Sequence, residues 1–93
     1  MKLRIESTND SPRVEFDLGN KIFKIEGRSH GVHSGELYAE LGNWMIEHVS
    51  GLQMEANFDV RLEYYNTVSS IGLSNILEVL ERLNKLGNKF SVR

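Results

Sequence analysis

The sequence lacks several features that mark common classes of small protein. Its 93 residues include no cysteine, so the chain can form no disulfide, no thiolate metal site and no cysteine nucleophile. It has a single proline, and 40% of its residues are hydrophobic, which is unlike a disordered or low-complexity chain. We therefore expect one small globular domain, with a composition consistent with a reducing compartment.

An excess of positive charge is also missing. Eleven Lys and Arg residues stand against thirteen Asp and Glu residues, and the net charge is -2. Both signs are interspersed, which argues against a protein that tracks nucleic-acid phosphates. Neither the first ten residues nor any later apolar run has the pattern of a secretion signal or a membrane span. We expect a cytoplasmic protein with no nucleic-acid or membrane partner.

The start of the chain differs in pattern from the rest. Residues 1–12 are polar and end in the turn-forming run Asn9 to Pro12, which predicts a loosely ordered lead-in. Regular apolar patterning begins at Arg13, so residues 13–93 are predicted to form a single domain.

Two alternating segments with a turn between them open this domain. Val14 and Phe16 lie on one face of the first predicted strand, and Phe23 and Ile25 lie on one face of the second. Gly19–Asn20 joins them and tolerates positive φ. A two-residue hairpin pairs Phe16 with Phe23 and Val14 with Ile25, which brings both apolar faces to one side.

The remaining pattern alternates helix and strand. A helical period runs from about Ser34 to Gly51, an alternating strand covers Asp59 to Tyr65, a second helix closes at Gly87, and Lys89 to Val92 forms a last strand. The element order is ββαβαβ. Right-handed crossovers then place both helices on one face of a mixed four-stranded sheet, giving a two-layer α+β fold.

The junction between the third strand and the second helix is rich in hydroxyl groups. Thr67, Ser69 and Ser70 follow directly after Asn66. Such residues are preferred helix caps, because their side-chain oxygens accept hydrogen bonds from the free N–H groups of the first turn. Equally, a phosphate on one of these hydroxyls would be tolerated at the positive end of the helix dipole. Local sequence leaves both interpretations open.

Three segments together resemble a known family. They are IEGRS at Ile25 to Ser29, ELYAELGNWM at Glu36 to Met45, and LEYYNTVSS at Leu62 to Ser70. With them the chain resembles the SiaC family of bacterial regulatory phosphoproteins, whose fold is similar to STAS-type anti-sigma factor antagonists.

The resemblance implies a phosphorylation switch at Thr67, with Ser69 and Ser70 as alternates. It implies a dedicated kinase and a phosphatase, and an unphosphorylated form that binds and activates a diguanylate cyclase. The output would be control of cyclic di-GMP and of biofilm growth by a protein that is not an enzyme and needs no cofactor or metal. The residues expected to contact partners are Ser29, Tyr65, Asn66, Thr67 and Ser69.

The sequence departs from the family pattern after Ser29. The family continues there with an aromatic residue, a Pro and a Glu, whereas this chain has His30, Gly31 and Val32. The pair Ser69–Ser70 also resembles the phosphorylated motif of anti-sigma factor antagonists, although the Asp of that motif is missing. An antagonist phosphorylated by an anti-sigma serine kinase is therefore the alternative function.

Two further features allow more than one interpretation. His30, His33 and Glu36 could be metal ligands of a small enzyme, but a zinc site needs three or four ligands, and solvated loop histidines explain them more simply. Tyr38 is interpreted as a core residue from its helical phase. Strand alternation places Tyr65 on the outer face beside the junction, as an interface anchor or as ordinary surface.

Overall fold

The computed structural model describes residues 2–31 and 34–92, which form five strands and two helices in a single sheet-and-helix arrangement. The strands are β1 (Lys2–Ile5), β2 (Arg13–Asp17), β3 (Ile22–Ser29), β4 (Glu55–Tyr65) and β5 (Lys89–Val92), and the helices are α1 (Ser34–Val49) and α2 (Thr67–Lys85). The strands lie in the order β1-β2-β3-β4-β5. Pairing is antiparallel from β1 to β3 and parallel from β3 to β5, so the sheet is mixed.

The prediction of four strands is wrong by one strand. Lys2–Ile5, which the sequence places in a loosely ordered lead-in, pairs with β2 and forms an edge of the sheet. Leu3 lies opposite Phe16 and Ile5 opposite Val14, and both side chains pack against the core. Two apolar residues in four give too short an alternation to predict a strand, and the strand is stabilised by its neighbour.

The predicted hairpin register is confirmed. Phe16 lies opposite Phe23 and Val14 opposite Ile25. All four side chains are buried, because the pleat brings alternate residues of both strands to the same face.

The turn of this hairpin differs in detail from the expectation. The residue with positive φ is Lys21, at 57°, rather than Gly19 or Asn20. The Asp17 carboxylate accepts hydrogen bonds from the Asn20 backbone N–H at 3.2 Å and from the Asn20 side-chain amide at 2.9 Å. The bond from the Asn20 side chain is the main cause that lowers the pKa of Asp17 below its ordinary value. The side chain of Asp17 thus fixes the turn.

Four phenylalanine rings form the centre of the sheet's core face. This aromatic cluster consists of Phe16, Phe23, Phe58 and Phe90, and each ring lies with its centroid 5.3–5.6 Å from that of another. The two helices cover it from one side with Tyr38, Leu41, Met45, Val49, Ile76, Leu80 and Leu83. The fold is therefore two layers with one core between them, as predicted.

The observed boundaries of α1 and β4 differ slightly from the predicted ones. The helix α1 ends at Val49, two positions before the expected Gly51, and β4 begins at Glu55 rather than Asp59. The earlier start of β4 lets it pair with β5, where Ala56 lies opposite Phe90. No helix among the described residues has both the length and the apolar character that crossing a membrane would need.

Candidate functional site

The hydroxyl-rich junction lies where two parallel strands end side by side. Ser29 at the end of β3 is the register partner of Tyr65 at the end of β4, and α2 begins two residues later at Thr67. The carboxyl ends of parallel strands, with the helix N-terminus that follows, are a common location for binding sites in α/β sheets. The candidate residues therefore lie at the carboxyl ends of β3 and β4, beside the N-terminus of α2.

Asn66 is the cap of α2. Its side-chain Oδ1 accepts a hydrogen bond from the Ser69 N–H at 2.9 Å, and its carbonyl accepts one from the Ser70 N–H at 3.0 Å. The Asn66 N–H in turn donates to the Ser29 carbonyl at 3.2 Å, which ties the start of the helix to the end of β3. Because Asn66 supplies the cap, the neighbouring hydroxyls are not needed for that purpose.

Beneath this cap lie three hydroxyl groups, Ser29, Tyr38 and Ser69, which we call the hydroxyl cluster. The Ser29 Oγ is 2.7 Å from the Tyr38 Oη and 2.7 Å from the Ser69 Oγ, and the Ser69 Oγ is 2.6 Å from the Ser29 carbonyl oxygen. All three side chains are buried. The cluster thus joins β3, α1 and α2 by hydrogen bonds inside the core.

The direction of these hydrogen bonds follows from the number of protons. A carbonyl can only accept, so the single Ser69 proton goes to the Ser29 carbonyl. The Ser29 hydroxyl must then donate to the Ser69 Oγ, and the Tyr38 hydroxyl must donate to the Ser29 Oγ. Each hydroxyl proton in the cluster is used once, and every donor has an acceptor.

Tyr38 is held in the cluster by its ring as well as by its hydroxyl. A Cβ placed on Gly72 would lie 2.5–2.8 Å from ring and Cβ atoms of Tyr38, so the ring packs directly on the α2 backbone. Burial raises the pKa of the Tyr38 phenol above its ordinary value of 10.0. Tyr38 is therefore a protonated donor at neutral pH.

Thr67 stands on the outside of the same turn. It is the first residue of α2, its side chain is exposed, and its hydroxyl makes no hydrogen bond to another described residue. The side chains around it are largely apolar and also exposed: Tyr65 is 56% exposed, Val68 44% and Ile71 60%. The first turn of α2 has no acidic residue. The accessible hydroxyl thus lies among exposed apolar groups.

The predicted partner residues therefore divide into two layers. Tyr65 and Thr67 are on the surface and Asn66 is half-buried, but Ser29 and Ser69 are fully buried and offer a partner no surface in this conformation. Their hydroxyls are used inside the hydroxyl cluster, and contact with a partner stays a prediction for all five residues.

An irregularity in the sheet accounts for the exposure of Tyr64. The register between β3 and β4 shifts at Gly27 and Arg28, so that Arg28 pairs with Tyr64 and Ser29 with Tyr65. Tyr64, which strict alternation places inward, is instead 56% exposed. A bulge adds one residue to a strand and reverses the alternation beyond it.

The histidine loop gives no metal site among the described residues. His30 stacks edge-on against Tyr64 with a centroid distance of 5.0 Å, and its Nε2 lies 3.2 Å from the Asn9 carbonyl. His33, the second candidate ligand, lies outside the described residues. Within residues 2–31 and 34–92, no group of three or more His, Cys, Asp or Glu side chains is placed to hold a metal ion.

Sequence reasoning missed two residues of this site. Helical phase places Tyr38 in the core without indicating a part in the site, and no pattern indicates a role for Gly72. A glycine inside a predicted helix interior costs about 1 kcal/mol relative to alanine, so its presence in α2 is the one local signal of a close contact. Nothing in the sequence identifies Tyr38 as the contact partner.

Comparison with known proteins assigns the chain to a family. A family model described as SiaC family regulatory phosphoprotein matches residues 5–93. The chain belongs to the SiaC family. An uncharacterized protein of Pseudomonas aeruginosa (strain UCBPP-PA14) is 29% identical over 91 residues, which make up 98% of this chain and 72% of that protein.

Solved structures of SiaC share the fold. The crystal structure of apo-SiaC from Pseudomonas aeruginosa matches with a TM-score of 0.90 at 28% identity, over 100% of this chain and 77% of that chain. A chain from the crystal structure of the diguanylate cyclase SiaD in complex with its activator SiaC, also from Pseudomonas aeruginosa, matches with a TM-score of 0.87 at 28% identity. That match covers 98% of this chain and 75% of the other.

Proposed function

We propose that this chain binds and activates a diguanylate cyclase when it is unphosphorylated, and that phosphorylation of Thr67 ends the activation. It would thereby control cyclic di-GMP and biofilm growth. The observation that carries this proposal is an exposed Thr67 hydroxyl on a fold matched by the activator SiaC of a diguanylate cyclase. The protein would act in the cytoplasm and catalyse no reaction itself.

Exposure distinguishes Thr67 from the other two hydroxyl candidates. Ser69 is fully buried, and Ser70 is half-buried with its N–H bonded to the cap. A kinase must bring its nucleotide to the acceptor oxygen, so the exposed residue is the accessible acceptor. A kinase could reach the Thr67 hydroxyl without any rearrangement of the domain.

The surroundings of Thr67 suggest why a phosphate would block binding. Tyr65, Val68 and Ile71 form an exposed apolar rim that suits contact with an apolar partner surface. Phosphorylation adds a charge of about -1.5 to -2 and three strongly hydrated oxygens. Burying that group against apolar side chains costs desolvation energy with no cation from this rim to offset it.

The same phosphate would leave the domain folded. It would sit at the N-terminus of α2, where the helix dipole favours a negative group, and the cap made by Asn66 occupies different atoms. Modification would therefore be neutral or mildly stabilising within the chain and unfavourable across the interface. This combination is what a reversible switch needs.

The regulatory partners follow from the same assignment. We propose a dedicated serine/threonine kinase that modifies Thr67 and a phosphatase that restores the free hydroxyl. We also propose that the fold is similar to that of STAS-type anti-sigma factor antagonists. The alternative function, an antagonist of an anti-sigma factor, is not favoured by the family match.

A pair of substitutions at Thr67 tests the charge mechanism. Thr67→Ala keeps the apolar rim and should bind and activate the cognate cyclase like the wild type, because no charge is added. Thr67→Asp adds a charge at the same place and should weaken binding at least about tenfold, equivalent to about 1.4 kcal/mol. Isothermal titration calorimetry measures the affinity, and cyclic di-GMP production measures the activation.

Ser91→Asp provides the control. Ser91 is exposed on β5 and lies opposite Asn57, eight positions before Tyr65 in β4, so this variant adds the same charge far from the rim. It should bind like the wild type. If Thr67→Ala and Thr67→Asp behave alike, electrostatic switching at Thr67 is the wrong mechanism. Phosphorylation found only at Ser69 or Ser70 would favour the anti-sigma alternative.

A further inference from the structure

The hydroxyl cluster lies directly beneath the candidate phosphorylation turn and includes one of its serines. Ser69 is two positions from Thr67, and its hydroxyl both accepts from Ser29 and donates to the Ser29 carbonyl. Ser69 also donates its backbone N–H to Asn66. Ser69 is thus held by three hydrogen bonds, whereas the Thr67 hydroxyl makes none to any other residue in the described part of the chain.

We propose that the hydroxyl cluster determines which hydroxyl of the junction is phosphorylated. Ser29 and Tyr38 are positioning residues: they hold Ser69 inside the core and so leave Thr67 as the acceptor. This inference rests on the proposed phosphorylation of the junction and adds what selects its position. The hydrogen bonds of the cluster, rather than the sequence around the acceptor, provide the selection.

The chemistry of the transfer makes burial decisive. The acceptor oxygen forms a bond to the γ-phosphorus of a nucleoside triphosphate, the bond from that phosphorus to the β-phosphate oxygen breaks, and the nucleoside diphosphate leaves. The hydroxyl proton passes to a base of the kinase. The Ser69 oxygen has its proton committed to the Ser29 carbonyl and no open side from which a γ-phosphate could approach. The Thr67 oxygen keeps a proton that no described residue accepts, and its exposed side leaves room for the γ-phosphate to approach.

Tyr38 closes the cluster at its far end. Its hydroxyl donates to the Ser29 Oγ, which leaves the Ser29 proton available only for Ser69. Removing the phenol oxygen frees the Ser29 hydroxyl to rotate, and removing the Ser29 hydroxyl leaves both Tyr38 and Ser69 without that partner. The α2 first turn is then held to β3 by fewer bonds and opens more often.

Hydrogen exchange of the Ser69 and Ser70 amides tests the cluster without any kinase. Tyr38→Phe keeps the ring that fills the core and removes only the hydroxyl, so it should fold. We expect the two amides to exchange about tenfold faster in Tyr38→Phe and in Ser29→Ala than in the wild type, since losing one buried hydrogen bond has about this effect. Unchanged exchange in both variants would overturn the proposal.

Phosphosite mapping by mass spectrometry then tests the selection itself. The purified chain is incubated with the cognate kinase and ATP, and the modified positions are counted. The wild type should carry phosphate at Thr67 and not at Ser69, whereas Ser29→Ala and Tyr38→Phe should carry a measurable share at Ser69. Modification confined to Thr67 in all three proteins, at the same rate, would contradict the selection.

A control separates positioning from simple loss of stability. Val14→Ala removes buried methyl groups in β2, outside the cluster, and lowers stability by a similar or larger amount. It should leave the modified position at Thr67. A shift to Ser69 in this control as well would overturn the proposal, because any destabilised variant would then give it.

The two experiments also separate the two proposals. A wild-type chain that no candidate kinase modifies anywhere would count against the phosphorylation switch, while faster exchange in Tyr38→Phe would still support the cluster as the lock on Ser69. Wild-type modification at Ser69 would reverse the outcome: the junction would be a phosphorylation site, and the selection by burial would be wrong.

Discussion

The aromatic cluster and the hydroxyl cluster are equally buried but serve different ends. Phe16, Phe23 and Phe58 meet in the middle of the sheet through ring contacts that depend only on shape. Ser29 and Ser69 meet where β3 ends and α2 begins, through hydrogen bonds that need particular donors and acceptors. Apolar burial supplies most of the free energy of folding, whereas buried hydrogen bonds add little net energy but fix geometry. The aromatic cluster should therefore control the stability of the domain, and the hydroxyl cluster should control the geometry of the candidate site.

The largest effect should come from the centre. Phe58→Ala removes a fully buried ring from the aromatic cluster and should lower the free energy of unfolding by about 3–5 kcal/mol, because it loses burial and leaves a cavity. Urea denaturation followed by circular dichroism measures it. Leu52→Ala is the control, since Leu52 is about half exposed and should change stability by less than about 0.5 kcal/mol. Equal effects would contradict the assigned core.

Gly72→Ala should have an intermediate effect on stability, because the added methyl group would displace Tyr38 and with it the hydroxyl cluster. Alanine is the better helix former, yet its Cβ would lie within 2.8 Å of Tyr38 atoms, so we expect a net loss of about 1–3 kcal/mol in thermal or urea unfolding. Gly51→Ala is the matched control, because a Cβ there meets no atom within 4 Å. A stabilised Gly72→Ala variant would show that the ring contact is not tight.

The smallest effect at neutral pH should come from Tyr38→Phe, which removes one hydroxyl and should cost about 1 kcal/mol. Its pH dependence is more informative. Burial raises the pKa of Tyr38, so above about pH 10 the unfolded chain binds fewer protons than the folded one. The stability of the wild type should therefore fall as pH rises above about 10, with Tyr38 contributing part of that fall.

The Tyr38→Phe variant should lose that part of the alkaline decline, because no phenol at this position is left to titrate. Urea titrations at a series of pH values from neutral to alkaline measure both proteins. Tyr64→Phe is the control, since Tyr64 is exposed. Parallel pH curves for wild type and Tyr38→Phe would show that the Tyr38 hydroxyl is not held in a buried donor position.

The sequence predicts the centre of the fold better than its edge. The pairing of Phe16 with Phe23 follows from alternation and a short turn, because register is fixed wherever one face must be buried. The strand β1 could not be predicted in the same way, since Lys2–Ile5 has too few apolar residues and gains its stability from pairing with β2.

The site was harder to predict for a different reason. Thr67 and Asn66 could be placed at the start of a helix from local sequence, and the structure puts them there. The burial of Ser29 and Ser69 could not, because serine is usually exposed and the two residues meet only through tertiary structure. The bulge beside Gly27 likewise reverses the predicted alternation at Tyr64, and local sequence does not locate bulges.

The separation of Ser29 and Ser69 along the chain affects when the site can exist. The two residues are 40 positions apart, and α1 and β4 must be in place before they meet. We expect contacts of such long range to form late in folding, after the local hairpin of β2 and β3, because closing a long loop costs more chain entropy. A chain still on the ribosome, or one that has partly unfolded, would lack the ordered turn at Thr67. A kinase that recognises this turn would therefore modify finished molecules and pass over immature ones.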